Sequence, residues 1–271
     1  MKTKGEFVMK KLLSFILSCV VILSFSGCDS SAGKLDKIKS KGEIVVHTDP
    51  NFSPFEFMKG GEVAGVDIEI AKAIAEELGV TVKFEETKFD SILMAIKGGK
   101  GDIAVSGFTI TDERKESVDF SIPYIESVQY LILPEGSQTV VMEDLAGLTV
   151  GVAQGYTGQF LMEDELEEGG VLAGTGTEIK EYNSAMEAAL DLKSGRINAV
   201  VMDEYVAKNI VSNNDGYQAI ELRYLNGDLA AEEYGVVVPK GNEDLLDIIN
   251  SVIKRLNDEE KIPEWVVYFS E

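Results

Sequence analysis

Between residues 106 and 114 the chain reads Ser-Gly-Phe-Thr-Ile-Thr-Asp-Glu-Arg, which places hydroxyls, a glycine and one guanidinium close together. Glycine lets a ligand approach the backbone, Thr111 is a good helix N-cap, and Arg114 then falls in the first turn among N–H groups without intrahelical acceptors. A cation there opposes the helix dipole. An anion held between Arg114 and those N–H groups removes the conflict, and a carboxylate matches the planar guanidinium fork. A surface pair with Asp112 or Asp119 is the plainer alternative, and such pairs contribute little.

Two further segments carry chemistry. Gln154-Gly155-Tyr156-Thr157-Gly158-Gln159 is a glycine-rich entry to a helix that can turn N–H groups toward an anion. It lacks the Gly-Lys-Ser/Thr ending of a nucleotide-phosphate loop, and a simple tight turn explains it equally well. Asp203 ends the apolar run Ile197 to Met202, where its carboxylate can hold an ammonium group or cap the helix suggested by Glu204 to Ile210.

The elements that must position these residues alternate. Ile44–Val46 reads as a strand ending at Asp49-Pro50, and Asp67–Leu78 as a helix with one apolar face, stopped by Gly79. Thr81–Phe84 is a strand, Asp90 caps a helix, and Asp102–Ser106 and Leu148–Val152 are further strands. A weak repeat relates the helix from Asp90-Ser91 and strand Ile103–Val105 to the helix from Asn183-Ser184, longer by three residues, and strand Ala199–Val201. This is the grammar of an α/β protein with largely parallel sheets, in which ligands sit beyond the carboxyl ends of strands. Ser106 to Thr109 and Asp203 are the residues just past two such ends.

Composition narrows the chemistry. The 271 residues carry 25 Lys+Arg against 47 Asp+Glu, a net charge of −22, with one His and two Cys. So acidic a chain has no electrostatic attraction to nucleic acid, and a single His argues against His/Cys zinc sites and paired-His catalysis. No metal or cofactor is expected. His47, in the first strand, reads as a satisfied core or edge residue.

Residues 1–27 read as an export signal: Lys10-Lys11, an apolar run from Leu12 to Phe25, then Ser26-Gly27-Cys28. The run is shorter than the ~20 residues of a membrane-spanning helix. The pattern resembles a bacterial lipoprotein signal, in which Cys28 becomes the lipidated, palmitate-bearing N-terminus; an ordinary secretory signal is the alternative. Residues 28–33 are then a tether, and Cys19 leaves with the signal, so no thiol pair remains for a disulfide. Met9 reads as a more ordinary start than Met1.

The chain from about Leu35 to Asn257 resembles the bacterial extracellular solute-binding proteins, family 3, which deliver polar amino acids to ABC importers and include glutamine-, histidine- and lysine/arginine/ornithine-binding proteins. The resemblance rests on Asp49 to Phe57, Gly65 to Ala75, Ser106 to Arg114, Val118 to Tyr124, Gly155 to Gly158, Glu233-Tyr234-Gly235 and Lys240-Gly241. It implies a two-lobed, periplasmic-binding-protein-like (type II) fold, with a ligand cleft between lobes joined by two hinge strands. The lobes are placed at 34–126 with 232–271, and at 127–231, with hinges near Tyr124–Val128 and Ala230–Tyr234.

The resemblance also implies roles. Arg114, with the Thr109 hydroxyl, the Gly107 N–H and Thr157 from the other lobe, would grip a ligand α-carboxylate, and Ser106 of the same segment would belong to the ligand-binding residues. Asp203 would bind the α-ammonium, Phe52 and Phe89 would sandwich the side chain, and Asp49 would read its polar end; for both Phe residues core packing is the plainer role. Ala153 and Gln154 stand where the glutamine-binding branch has a lysine, which leaves the amino acid open.

The expected function is a monomeric, extracytoplasmic, lipid-anchored receptor that captures a free L-amino acid, closes, and delivers it to an ABC permease and ATPase. An enzyme on the same scaffold, similar to a cyclohexadienyl dehydratase, and an extracellular amino-acid sensor are the alternatives.

Overall fold

The computed structural model of the chain describes residues 33–271. The signal peptide, Cys28 and the tether up to residue 32 lie outside the described residues.

Helix α1 (Lys34–Lys41) leads into β1 (Glu43–Thr48), and a small antiparallel sheet follows from β2 (Asn51–Phe52), β3 (Glu56–Lys59) and β4 (Glu62–Ala64). Then come α2 (Val66–Leu78), β5 (Thr81–Glu86), α3 (Phe89–Lys97), β6 (Ile103–Ala104), α4 (Asp112–Ser117) and β7 (Val118–Phe120). Helix α2 buries Ile70, Ala71, Ile74, Ala75 and Leu78, the face read from the sequence, and ends at Gly79 in the left-handed region. Helix α3 begins two residues earlier than expected: Lys88, not Asp90, is its N-cap, without a side-chain cap, and Asp90 is already helical.

Strand β8 (Ile125–Pro134) carries the chain into a second sheet, with β9 (Thr149–Ala153), α5 (Thr157–Leu166), β10 (Glu178–Tyr182), α6 (Ala185–Lys193), β11 (Ala199–Asp203), α7 (Glu204–Ser212) and β12 (Tyr217–Glu221). The chain returns through β13 (Ala231–Tyr234) to β14 (Val237–Pro239), α8 (Glu243–Asp258) and α9 (Lys261–Ser270). Ser184 caps α6 by accepting from the Glu187 N–H. Helices α3 and α6, the related pair of the internal repeat, both have nine residues, so the expected difference in length is absent because Asn183 and Ser184 stay outside α6.

The first sheet runs β5-β1-β6-β14-β7, parallel among β5, β1 and β6, with β14 antiparallel to β6 and β7. The second runs β10-β9-β11-β8-β12, parallel among β10, β9 and β11, with β8 antiparallel to β11 and β12. The antiparallel strands are those that carry the chain between the sheets or return it. The fold is therefore α/β and two-lobed. The crossing strands pair with each other, Ile125 opposite Tyr234 and Val128 opposite Ala231.

Helix α8 buries Leu245, Ile249, Val252, Ile253 and Leu256 along one stripe, each worth about 1.5–3 kcal/mol of apolar transfer. Among the described residues no helix is long and apolar enough to cross a membrane.

Candidate functional site

Phe108 and Thr109 follow β6 and pair with the returning chain: the Gly235 N–H bonds to the Phe108 carbonyl, and Thr109 bridges Tyr234. Thr111 caps α4 by accepting from the Arg114 N–H at 3.2 Å. This fixes Arg114 in the first turn, where its guanidinium is buried. Its Nη1 donates to the Thr109 carbonyl at 2.8 Å and its Nη2 to the Gly155 carbonyl of the second lobe at 3.0 Å. The ring faces of Phe89 and Phe108 lie 5.6 and 5.3 Å from the guanidinium carbon.

The surface pairing considered for Arg114 is not formed. Asp112 pairs with Lys115 and Asp119 with Lys240, and no carboxylate lies within ion-pair distance of Arg114 among the described residues. Burial lowers the Arg114 pKa, opposed by the charges of Glu232 and Asp203.

Asp203 is the N-cap residue of α7, yet its side chain makes no capping bond. The carboxylate turns inward and accepts from Gln129 Nε2 at 2.9 Å and from the Tyr234 hydroxyl. Beside it on β13 lies Glu232, whose Oε1 accepts from the Thr157 hydroxyl and, at 3.3 Å, from that of Thr109. Burial, then the neighbouring Asp203 charge, pushes the Glu232 carboxyl well above the usual range, and burial raises Asp203 as well. Such a buried pair favours holding a proton between its members.

Two expectations are corrected by hydrogen bonds within the first lobe. The Gly107 N–H, expected to face the ligand, donates to Asp67 Oδ2 at 2.7 Å. Its glycine is required for another reason: φ is +54°, and a Cβ would lie 2.3 Å from the Phe52 ring. Ser106 likewise spends its hydroxyl on Glu56 Oε1 while accepting from the Asp49 N–H at 3.1 Å, so it braces the Asp49 loop. Phe52 and Phe89 flank an aromatic slot, and the ring within it is Tyr156, 5.6 Å from Phe52 and 4.0 Å from Phe89. A stack of this kind adds about 0.5–1.5 kcal/mol per pair beyond burial, which is why a tyrosine on the Gly155 turn docks there.

Asp49 is buried at the edge of this slot and accepts from Asn51 Nδ2 at 2.6 Å and from the Phe89 N–H at 3.0 Å. Burial raises its pKa. His47 bonds to Thr87 through Nδ1 at 2.7 Å and sits against Gly101, buried as expected, but its Nε2 has no partner among the described residues, so it is not the satisfied histidine read from the sequence. No group of His, Cys, Asp and Glu suited to a metal ion occurs among the described residues.

Arg114, Thr109, Thr157 and Asp203 are thus brought to one place between the lobes, with Phe52, Phe89 and Asp49 one ring further along. Sequence reasoning missed Glu232, Gln129 and Tyr156. Strand periodicity carried a signal for the first two: Glu232 shares a strand face with buried Tyr234, and Gln129 with buried Ser127.

The family model described as bacterial extracellular solute-binding proteins, family 3, matches residues 44–267. A probable histidine-binding protein of Neisseria gonorrhoeae is 31% identical over 92% of this chain and 91% of its own length. An arginine-binding extracellular protein of Bacillus subtilis is 29% identical over 92% and 94%. An amino acid ABC transporter substrate-binding protein from Streptococcus pneumoniae, solved bound to L-arginine, superposes with a TM-score of 0.79 at 30% identity, over 88% of this chain and 98% of its own.

Proposed function

The chain belongs to the bacterial extracellular solute-binding proteins, family 3, and from that premise we propose that it is the substrate-binding component of an amino-acid ABC transporter. The observation that carries this reading is Arg114: a buried guanidinium, bonded to one backbone carbonyl from each lobe, with no carboxylate of its own among the described residues. A ligand α-carboxylate supplies the anion, and Thr109 and Thr157, from opposite lobes, turn their hydroxyls from Glu232 toward it. Asp203, opposite, takes the α-ammonium.

A zwitterion loses water at both ends on entering such a site, so each end needs charge-assisted bonds of about 1.5–3 kcal/mol. Because the contacts come from both lobes, ligand favours their closed arrangement, and we read closure of 34–126 with 232–271 onto 127–231 as the signal passed to a permease. Lipid attachment at Cys28, a monomeric state and an extracytoplasmic location complete the proposal. Tyr156 leaves the slot between Phe52 and Phe89 when a ligand side chain enters it.

The test is a thermal-shift screen of the purified protein against the twenty standard L-amino acids and cystine. At least one should raise the melting temperature in a concentration-dependent way, and its unchanged recovery after long incubation marks a binding protein. A screen with no hit, or turnover of a prephenate-like acid, would overturn the reading.

A further inference from the structure

Beside the Arg114 site, a cavity of about 1030 Å³ opens between α5 and the crossing strands. Its lining includes Glu126, Asp164, Glu232 and Glu233, none of which has an ion-pair partner among the described residues, and it includes no lysine or arginine. Charge of one sign proves no site. The lining also holds two side chains at least nine-tenths buried whose polar atoms lack a partner: Glu232 Oε2 and Gln129 Oε1.

Both are acceptors. Gln129 directs its Nε2 at Asp203, which fixes the amide so that Oε1 is the atom left over. Glu232 has its Oε1 on the two threonines, leaving Oε2. A buried acceptor without a donor is costly, and two of them on residues that line one cavity call for a group that brings several N–H bonds at once. Asp203 already accepts from Gln129 and Tyr234, so it is not the most demanding acceptor in the site.

We propose that Glu232 and Gln129 form a subsite for a cationic N–H group, an ammonium or a guanidinium, at the hinge end of the cleft. The assignment rests on the amino-acid-binding reading and adds that a bound cation takes the place of the proton Glu232 and Asp203 otherwise hold between them. Because Glu232 stands on the strand that joins the lobes, filling this subsite couples ligand charge directly to the crossing. The cation can come from the ligand's α-amine or from the end of a basic side chain, and the experiment separates the two.

The purified protein and its Glu232→Gln variant are titrated calorimetrically with L-arginine, L-histidine, L-glutamine and L-cystine, and with 5-guanidinopentanoate, which is arginine without its α-amine. Glu232→Gln should weaken at least one L-amino acid the parent binds by roughly 10- to 100-fold, the loss of a bond to a charged group. Equal losses for charged and neutral side chains identify the α-ammonium as the occupant. A loss confined to arginine and retained with 5-guanidinopentanoate identifies the side chain. Affinities within twofold of the parent overturn the subsite and leave the amino-acid reading standing, whereas a parent that binds none of the twenty amino acids or cystine overturns both. Melting curves of Glu232→Gln and of a second variant, Glu232→Thr, separate lost binding from lost folding, and both variants should show the weakened binding.

Discussion

Two buried carboxyl pairs sit in this molecule, and they differ in what they face. Glu56 and Asp67 are fully enclosed in the first lobe, one bonded by Ser106 and the other by the Gly107 N–H. Asp203 and Glu232 are almost as buried, but Glu232 lines the cavity at the hinge. Burial raises the pKa of all four, and each pair is charged against itself. A perturbed carboxyl is therefore not by itself a sign of function. The enclosed pair organises the 106–107 segment, while the second pair includes a residue, Glu232, that lines the cavity.

The largest effect that separates them is on stability. Glu56→Ala should cost about 2–4 kcal/mol in denaturant unfolding, because it leaves a cavity and strips Ser106 of its acceptor. Binding by the folded fraction should stay within about threefold; an unchanged unfolding midpoint would erase the distinction. Asp203→Asn should do the reverse, lowering amino-acid affinity by about 1.5–3 kcal/mol with the unfolding free energy unchanged or slightly raised, since a buried charge is removed.

The smallest effect is in pH. Folding raises these carboxyl pKa values, so above the ordinary carboxylate range, about 4, the native state holds protons that the unfolded chain has released. Stability is then greatest on the acid side and falls as pH rises through the raised values. A bound ammonium beside Asp203 and Glu232 favours their charged forms, so saturating amino acid should make the decline shallower without abolishing the share from Glu56 and Asp67. Unfolding curves between pH 4.5 and 8, with and without amino acid, check this; identical slopes would contradict it.

Much of this site was legible in the sequence because it is built locally. Strand, turn and cap put Arg114 in a first helical turn within a few residues of Thr109 and Thr111, and a strand end put Asp203 at a sheet edge. The helical face of α2 followed from spacing alone. Other parts depend on contacts that no local pattern encodes. Glu232 meets Thr109 across 123 residues and Thr157 across 75, through the pairing of β8 with β13. Tyr156 could be read as part of a tight turn, but its place between Phe52 and Phe89 exists only once the lobes meet. Gly107 was read as a donor to ligand because Asp67, its actual acceptor, lies 40 residues earlier.

The account turns on the buried guanidinium that holds both lobes and lacks an anion. Calorimetric titration of the parent and of Arg114→Ala with the amino acid that gives the largest thermal shift tests it most directly. Removing one partner of a buried charge pair should weaken binding by about 2–5 kcal/mol, with the fold retained by circular dichroism. Equal affinity in the two proteins would mean that the ligand carboxylate is held elsewhere, and the central assignment would be wrong.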